Sequence, residues 1–159
     1  MRRPAALFLV LAAALSFPTS CRKQDDREQI LGFVRDLARF AEKDDTDSIL
    51  ARMDAGYADF EGRSKAATGD MLESYFSRYP AIVANILKTE IEEQGPAEAV
   101  VRADIALSWG AAKVLRKLAQ VSLSHFRFRI RLRKSGGDWL ASRAEWRPIE
   151  IGEIPTHPE

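Results

Sequence analysis

Cysteine and histidine are nearly absent from this chain of 159 residues, which has one Cys and two His. A single cysteine excludes an internal disulfide, and the histidines stand in no spacing that would hold a metal ion. The sequence also lacks a nucleophile elbow and a phosphate-binding glycine loop. A formal net charge of only +1 disfavours nucleic acid as a partner. These absences predict a protein without a metal, a cofactor or a nucleic-acid partner.

Long apolar runs are also scarce, and the one that stands out lies at residues 5–17, directly after two arginines. It is too short to span a bilayer as a helix, and a positive start before such a run is typical of an export signal. The small residues Thr19 and Ser20 then lead to Cys21. This pattern resembles that of a bacterial lipoprotein precursor. The alternative is an ordinary secretory signal in which Cys21 is incidental.

The lipoprotein resemblance implies that residues 1–20 are a signal peptide and that Cys21 carries the lipid. Several acyl chains such as palmitate, at about 0.8 kcal/mol per buried methylene, would hold the protein on the membrane. Residues 21–27 then form a lipidated tether. Arg22 stands where an Asp would imply retention at the inner membrane. The resemblance therefore implies an envelope protein on the periplasmic face of the outer membrane.

Beyond the tether, residues 28–150 have the length of one compact domain, and residues 151–159 are predicted to be a flexible tail. Without residues 1–20 the chain holds 22 basic and 23 acidic residues. Their distribution is uneven. Residues 22–98 hold 11 basic and 17 acidic residues, whereas residues 99–159 hold 11 basic and 6 acidic residues. An acidic first half is thus joined to a basic second half.

Apolar residues recur three and four positions apart in three segments of the first half, which predicts three helices. Asp and Thr oxygens are placed to accept from the free amides of a first turn, and Gly and Pro stand where helices end. The predicted helices are residues 30–41 with Asp25 or Asp26 as N-cap, a short helix from Asp45 or Thr46 through Met53 that stops at Gly56, and residues 68–76 before Pro80.

The second half changes to a period of two, which predicts half-buried strands over residues 101–109 and 126–133. A Gly-Gly-Asp turn at residues 136–138 leads into a last strand over residues 139–146. The tryptophans at the two ends of that strand have opposite parity, which predicts opposite faces.

Residues 81–93 fit either a helix or a strand, because their apolar residues satisfy both periods. A strand over residues 86–93 is favoured. A turn at residues 94–97 would then pair it with the strong strand that follows, and each edge would have a partner.

Helices followed by a meander of long strands are typical of an α+β fold, with N-terminal helices on one face of a curved antiparallel sheet. Between the second and third helices, residues 57–64 contain Tyr57, Asp59 and Gly62. The order of elements and this linking stretch resemble the NTF2-like cone, also called SnoaL-like or cystatin-related. Members of that family include isomerases, dehydratases, hydrolases and envelope proteins without a known reaction, so the resemblance leaves the function open.

The resemblance suggests three pocket residues: Tyr57 and Asp59 in the linking stretch, and Trp109 at the end of the inward-facing row of its strand. Each also has a structural interpretation. Asp59 could bond turn amides, Tyr57 could be a core residue, and Trp109 could cap the apolar core. His125 is predicted to face outward, because it has the same strand parity as the arginines that follow it.

A row of arginines is the most unusual surface feature. It consists of Arg127, Arg129, Arg131 and Arg133, which project from one face of a strand at intervals of about 7 Å. The row could dock an acidic envelope partner or a second copy of the chain. Alternatively, it is neutralised by carboxylates on neighbouring strands, with Glu90, Glu92, Asp104 and Glu145 available.

Residues 110–120 separate two predicted strands and interleave basic with apolar residues. A short amphipathic helix there could rest on the membrane, or it could close the end of the cone.

The residues favour a membrane-anchored envelope lipoprotein that acts as a non-catalytic binding or accessory domain. One alternative is a small SnoaL-like isomerase or hydrolase for an apolar molecule, with Asp59 or His125 as acid-base and Tyr57 as the orienting group. Another is a structural homodimer or assembly partner that uses the arginine row. An enzyme needs a deep cavity with at least two convergent polar side chains, whereas the cone of a binding domain can be filled.

Overall fold

The computed structural model describes residues 25–110 and 124–153. The predicted signal peptide, Cys21, most of the segment 110–120 and the end of the predicted tail lie outside the described residues. Within those residues, no helix has the length and apolar character needed to cross a bilayer. The elements in chain order are α1 (Asp26–Ala41), α2 (Thr46–Ala51), β1 (Met53–Asp59), α3 (Lys65–Arg78), β2 (Val83–Gln94), β3 (Glu98–Ser108), β4 (Ser124–Ser135), β5 (Asp138–Pro148) and a 3-10 turn (Ile151–Glu153).

The three predicted helices are present, and side-chain caps begin two of them. The Asp45 carboxylate accepts from the Ser48 amide at 3.0 Å at the start of α2. At the start of α3, the Ser64 hydroxyl accepts from the Ala67 amide at 3.4 Å. Helix α1 has Asp25 as N-cap without a side-chain bond, so its first two residues lie within the predicted tether.

The strands form one curved five-stranded sheet in the order β1-β5-β4-β3-β2. Strands β2 to β5 are a meander of antiparallel hairpins, as the alternation predicted. The turn at residues 94–97 is closed by the Gly95 amide, which donates to the Glu98 carbonyl at 2.8 Å. Residues 86–93 are therefore strand, and the sequence preference for strand over helix is confirmed.

Strand β1 was not predicted, and it corrects the bounds of the second helix. Met53 and Gly56 are strand residues, whereas α2 ends at Ala51. The Ala141 amide donates to the Arg52 carbonyl at 2.8 Å, and β1 continues from there parallel to β5. The segment between α2 and α3 thus supplies one edge of the sheet.

A β-bulge in β5 corrects the predicted faces of the two tryptophans. Opposite β4, the register shifts so that Arg131 pairs with Arg143 and Leu132 with Ala141, which leaves Ser142 as the extra residue. The extra residue reverses parity along the strand. Trp139 therefore shares the inner face with Leu132, and Trp146 shares it with Phe128.

The apolar core fills the end of the domain where α1 begins. Phe33 and Ile30 of α1 pack there against Leu132 and Trp139, each with 2 % or less of its surface exposed. A second cluster, around Ile49, Phe76 and Ile82, lies near the other end of α1, where Phe40 and Ala41 pack against it. Between the clusters the concave face of the sheet is less completely covered.

The chain after β5 turns back onto the sheet. The Ile149 amide donates to the His125 carbonyl at 3.0 Å. In the following 3-10 turn, Glu153 is paired with Arg147 at 2.7 Å, and this hydrogen bond lowers the pKa of Glu153 to about 2. Residues 151–153 of the predicted tail are thus part of the folded domain.

Candidate functional site

A cavity of about 420 Å³ lies between the helices and the concave face of the sheet. Its volume is within the range of small-molecule sites. The helices contribute Val34, Leu37, Ala38, Ala41, Ile49, Thr68, Met71, Leu72 and Tyr75. The strands and loops contribute Met53, Tyr57, Arg63, Ile82, Ala84, Ala103, Ile105, Leu107, Phe126, Phe128, Ile130, Ala144 and Trp146.

Small residues on the sheet leave this space open. Ala84, Ala103 and Ala144 come from β2, β3 and β5 and all line the cavity. Larger residues border them, and Ile105 and Leu107 remain only half-buried although they face the helices. Three alanines on three strands therefore leave a hollow that close packing would otherwise fill.

The polar side chains of the cavity include Tyr57, Thr68 and Arg63. Burial, with the nearby charge of Asp59 as a second cause, raises the pKa of Tyr57 to about 12, so the phenol is protonated at neutral pH. The hydroxyls of Tyr57 and Thr68 are neighbours. Thr68 Oγ1 is buried and has no well-formed hydrogen bond among the described residues. The cavity thus offers hydroxyl groups at one corner of an apolar surface.

Asp59 is buried next to the cavity, but its carboxylate is engaged in the loop after β1. Its Oδ1 accepts from the amides of Glu61 and Arg63, each at 2.9 Å. Its Oδ2 accepts from Arg63 Nε at 2.7 Å. Both oxygens therefore hold the turn that leads into α3, and the same contacts fix Arg63 with its guanidinium 5.5 Å from the Trp146 ring centroid.

Trp109 lies at the surface, with 37 % of its area exposed. Its ring packs against Tyr79 at 4.9 Å between centroids, and Tyr79 packs against Tyr75 at 4.6 Å. Since Tyr75 lines the cavity, these three rings form a continuous row from the cavity to the surface. The predicted pocket residues thus differ in position: Tyr57 lines the cavity, Asp59 holds a neighbouring loop, and Trp109 ends the row of rings.

The sequence did not single out Thr68 or Arg63. Thr68 begins the third predicted helix and precedes Leu72 and Tyr75 at the four- and seven-residue spacing of one helix face. That spacing was the available signal.

A larger and more polar groove of about 670 Å³ runs beside α1 and includes Arg35, Arg39 and Arg52. Arg35 is paired with Glu28 at 2.6 Å, and Arg39 and Arg52 both pair with Asp36. Because each of these cations is already engaged by a carboxylate of the same molecule, the groove is a weaker candidate than the cavity.

The arginine row lies on the convex face of the sheet, and three of its members face carboxylates. Arg127 binds Asp104 through two hydrogen bonds of 2.7 and 2.8 Å, and Arg129 binds Glu92 at 2.7 Å. Arg133 lies 3.7 Å from Asp54. Arg131 is exposed and stands opposite Arg143 in the register, with no ion pair among the described residues.

His125 precedes this row in β4 and is half-buried. The cavity lining among the described residues does not include it.

Helices packed on the concave face of a curved, mostly antiparallel five-stranded sheet define the NTF2-like cone fold. The chain has this fold, as comparison with solved structures shows. A candidate scytalone dehydratase from Novosphingobium aromaticivorans superimposes with a TM-score of 0.64, at 14% identity over 78% of this chain and 84% of that one. A candidate dehydratase of the NTF2-like family from Streptomyces avermitilis superimposes with a TM-score of 0.63, at 11% identity over 78% of this chain and 96% of that one.

The protein Bd1075 of Bdellovibrio bacteriovorus also matches, with a TM-score of 0.64 and 18% identity over 79% of this chain. The match spans 41% of Bd1075, so the cone is only part of that longer chain. No protein-family model and no curated protein matches the sequence. At these identities the likeness concerns the fold alone.

Proposed function

We propose that this chain is a lipid-anchored envelope protein whose cone binds a small, mostly apolar molecule without transforming it. The cavity is the observation that carries the binding function. It has the volume of a small-molecule site, and a mostly apolar surface borders it on the helix side and on the sheet side. The positive start, the apolar run and the position of Cys21 support the anchor.

The chemistry of the lining favours binding over catalysis. Among the described residues, the lining contains no carboxylate and no imidazole. The Tyr57 phenol is protonated at neutral pH and acts as a hydrogen-bond donor rather than a base. Both oxygens of Asp59 are occupied by the loop that follows β1. These groups are suited to orienting a ligand.

The second candidate is a small SnoaL-like isomerase or hydrolase. It is favoured by the hollow cone, by the two neighbouring hydroxyls and by structural neighbours described as dehydratases. Such an enzyme would need Asp59 to leave its loop contacts, or His125 to act from outside the cavity, before either could transfer a proton.

We assign the arginine row to the stability of the sheet rather than to an acidic partner or to self-association. Arg127, Arg129 and Arg133 each lie within 4 Å of a carboxylate of the same molecule. Docking of an acidic partner would compete with these ion pairs.

Ligand entry is tested by methionine-methyl NMR, because two of the three methionines, Met53 and Met71, line the cavity. Naphthalene serves as the apolar probe. We expect it to shift both methyl signals in the full chain and to bind at least about tenfold more weakly when Ala38→Leu fills the cavity. The matched control is Ala66→Leu, at an exposed helical position. Equal shifts in both variants would contradict binding in the cone.

A further inference from the structure

We infer that the cavity selects a neutral ligand whose oxygen accepts a hydrogen bond from Tyr57, so that a ketone, ester or alcohol binds better than a carboxylate of the same shape. The inference rests on the proposed binding function and adds the chemical class of the ligand.

The hydroxyl pair of Tyr57 and Thr68 is the first observation. Thr68 exposes only 3 % of its surface, and its Oγ1 has no well-formed hydrogen bond among the described residues, although the Tyr57 hydroxyl is close to it. A buried hydroxyl without a partner is costly, and native proteins rarely leave one without a reason. This unpaired group borders the cavity beside the only buried tyrosine of the described residues.

A ligand oxygen would supply the acceptor that the Tyr57 hydroxyl needs. A hydroxyl both donates and accepts, so Thr68 can donate to the Tyr57 oxygen while Tyr57 donates to the ligand. The apolar remainder of the ligand would then lie against surfaces such as Leu72, Ile105 and Phe128. The ligand therefore needs an acceptor at one end and an apolar body.

Charge beside the hydroxyls determines the sign of the ligand. Arg63 is the cation at this corner, and it pairs with two carboxylates, Asp59 at 2.7 Å and Glu61. The Asp59 side chain has no exposed surface, so water screens its charge poorly. Because Arg63 is already paired with these carboxylates, an entering carboxylate would lose its hydration without gaining a free counter-charge from it, whereas a neutral oxygen loses much less.

Three ligands with the same bicyclic body test the inference: naphthalene, 2-acetylnaphthalene and 2-naphthoate. Affinities for the full chain are measured by isothermal titration at neutral pH, with the Met53 and Met71 signals confirming the location. We expect the ketone to bind about fivefold to tenfold more tightly than naphthalene, as one hydrogen bond allows, and the carboxylate to bind more weakly than both.

Tyr57→Phe and Thr68→Val remove the two hydroxyls with little change in shape. Tyr57→Phe should abolish the preference for the ketone over naphthalene and Thr68→Val should weaken it, and the measured quantity is the ratio of the two affinities within each variant. Tyr79→Phe is the matched control, because it removes a hydroxyl from a tyrosine that is not among the described residues lining the cavity. Naphthalene binding without a ketone preference, or tighter binding of 2-naphthoate, would overturn the inference alone. No binding of naphthalene would overturn the proposed function as well.

Discussion

At the scale of single residues, the pair of Asp104 and Arg127 is the most strongly buried ion pair on the convex face. The Asp104 side chain is 2 % exposed, the Arg127 side chain is 20 % exposed, and two hydrogen bonds join them. Asp104→Asn removes the charge and leaves Arg127 without its principal partner. We expect a loss of about 2–3 kcal/mol in the free energy of unfolding, measured by urea denaturation.

The exposed pair of Arg143 and Glu145 provides the matched control. Its distance is 2.9 Å, but both side chains have more than 40 % of their surface exposed. Solvent screens such a pair, so Glu145→Gln should cost less than about 0.5 kcal/mol. Equal losses in the two variants would mean that burial does not determine the strength of these ion pairs.

The sequence predicted the ion pairs of the sheet better than it predicted the neighbouring hydroxyls of Tyr57 and Thr68 in the cavity. Alternation along β4 and β3 indicated that Arg127 and Asp104 would share a face, because strand parity depends only on local sequence. The spacing of Thr68 indicated its helix face, but not its position beside the Tyr57 hydroxyl. Tyr57 reaches it from β1, an element that was not predicted.

At the scale of elements, the bulge at Ser142 determines which residues of β5 face the core. Deletion of Ser142 would remove the bulge and restore a regular register. The side chains on one side of the deletion would then exchange faces, so that either Trp139 or Trp146 leaves the inner face. We expect a loss of cooperative unfolding, measured by calorimetry.

Ser142→Ala is the control for this deletion. It keeps the length of the strand and loses only the hydrogen bond of 3.2 Å from Ser142 Oγ to the Arg131 carbonyl. That bond should contribute about 1 kcal/mol or less. Cooperative unfolding of the deletion variant at the same temperature would show that the bulge is dispensable.

Elements with a sustained period could be predicted from sequence, whereas irregular ones could not. Helix α1 repeats its apolar pattern over several turns, and strand β4 repeats its alternation over several residue pairs. A pattern of that length remains recognisable even where a single residue departs from it. Strand β1 has seven residues, and only Tyr57 and Asp59 are fully buried, so it lacks a sustained alternation. The bulge in β5 is one extra residue, and parity assigned across it is necessarily wrong at one end.

At the scale of the whole molecule, the order of elements predicted the cone but not its hollow. The fold follows from helices that precede a meander. The cavity depends on Ala84, Ala103 and Ala144, which line it from three strands at different levels of the sheet, and this arrangement becomes visible only when the register is known.

The proposed anchor and the fold together orient the domain on the membrane. Three residues lie between Cys21 and Asp25, and the four steps along the chain, at up to about 3.5 Å each, allow about 14 Å between the lipid-bearing residue and the N-cap of α1. That end carries the β4–β5 hairpin, because Lys134 pairs with Asp26. Helix α1 has 16 residues and is about 24 Å long, so the α3 end of the domain lies farther from the bilayer.

Nitroxide labels at Ser135→Cys and Ser77→Cys test this orientation in the full chain on vesicles that carry nickel-chelating lipids. Both positions are exposed, the first in the hairpin and the second near the end of α3. We expect stronger paramagnetic relaxation at 135 than at 77, because the short tether holds the hairpin near the surface. With Cys21→Ser, both the relaxation at 135 and metabolic labelling with palmitate should disappear. Equal relaxation at the two positions would contradict the orientation, and an unlabelled native chain would contradict the anchor itself.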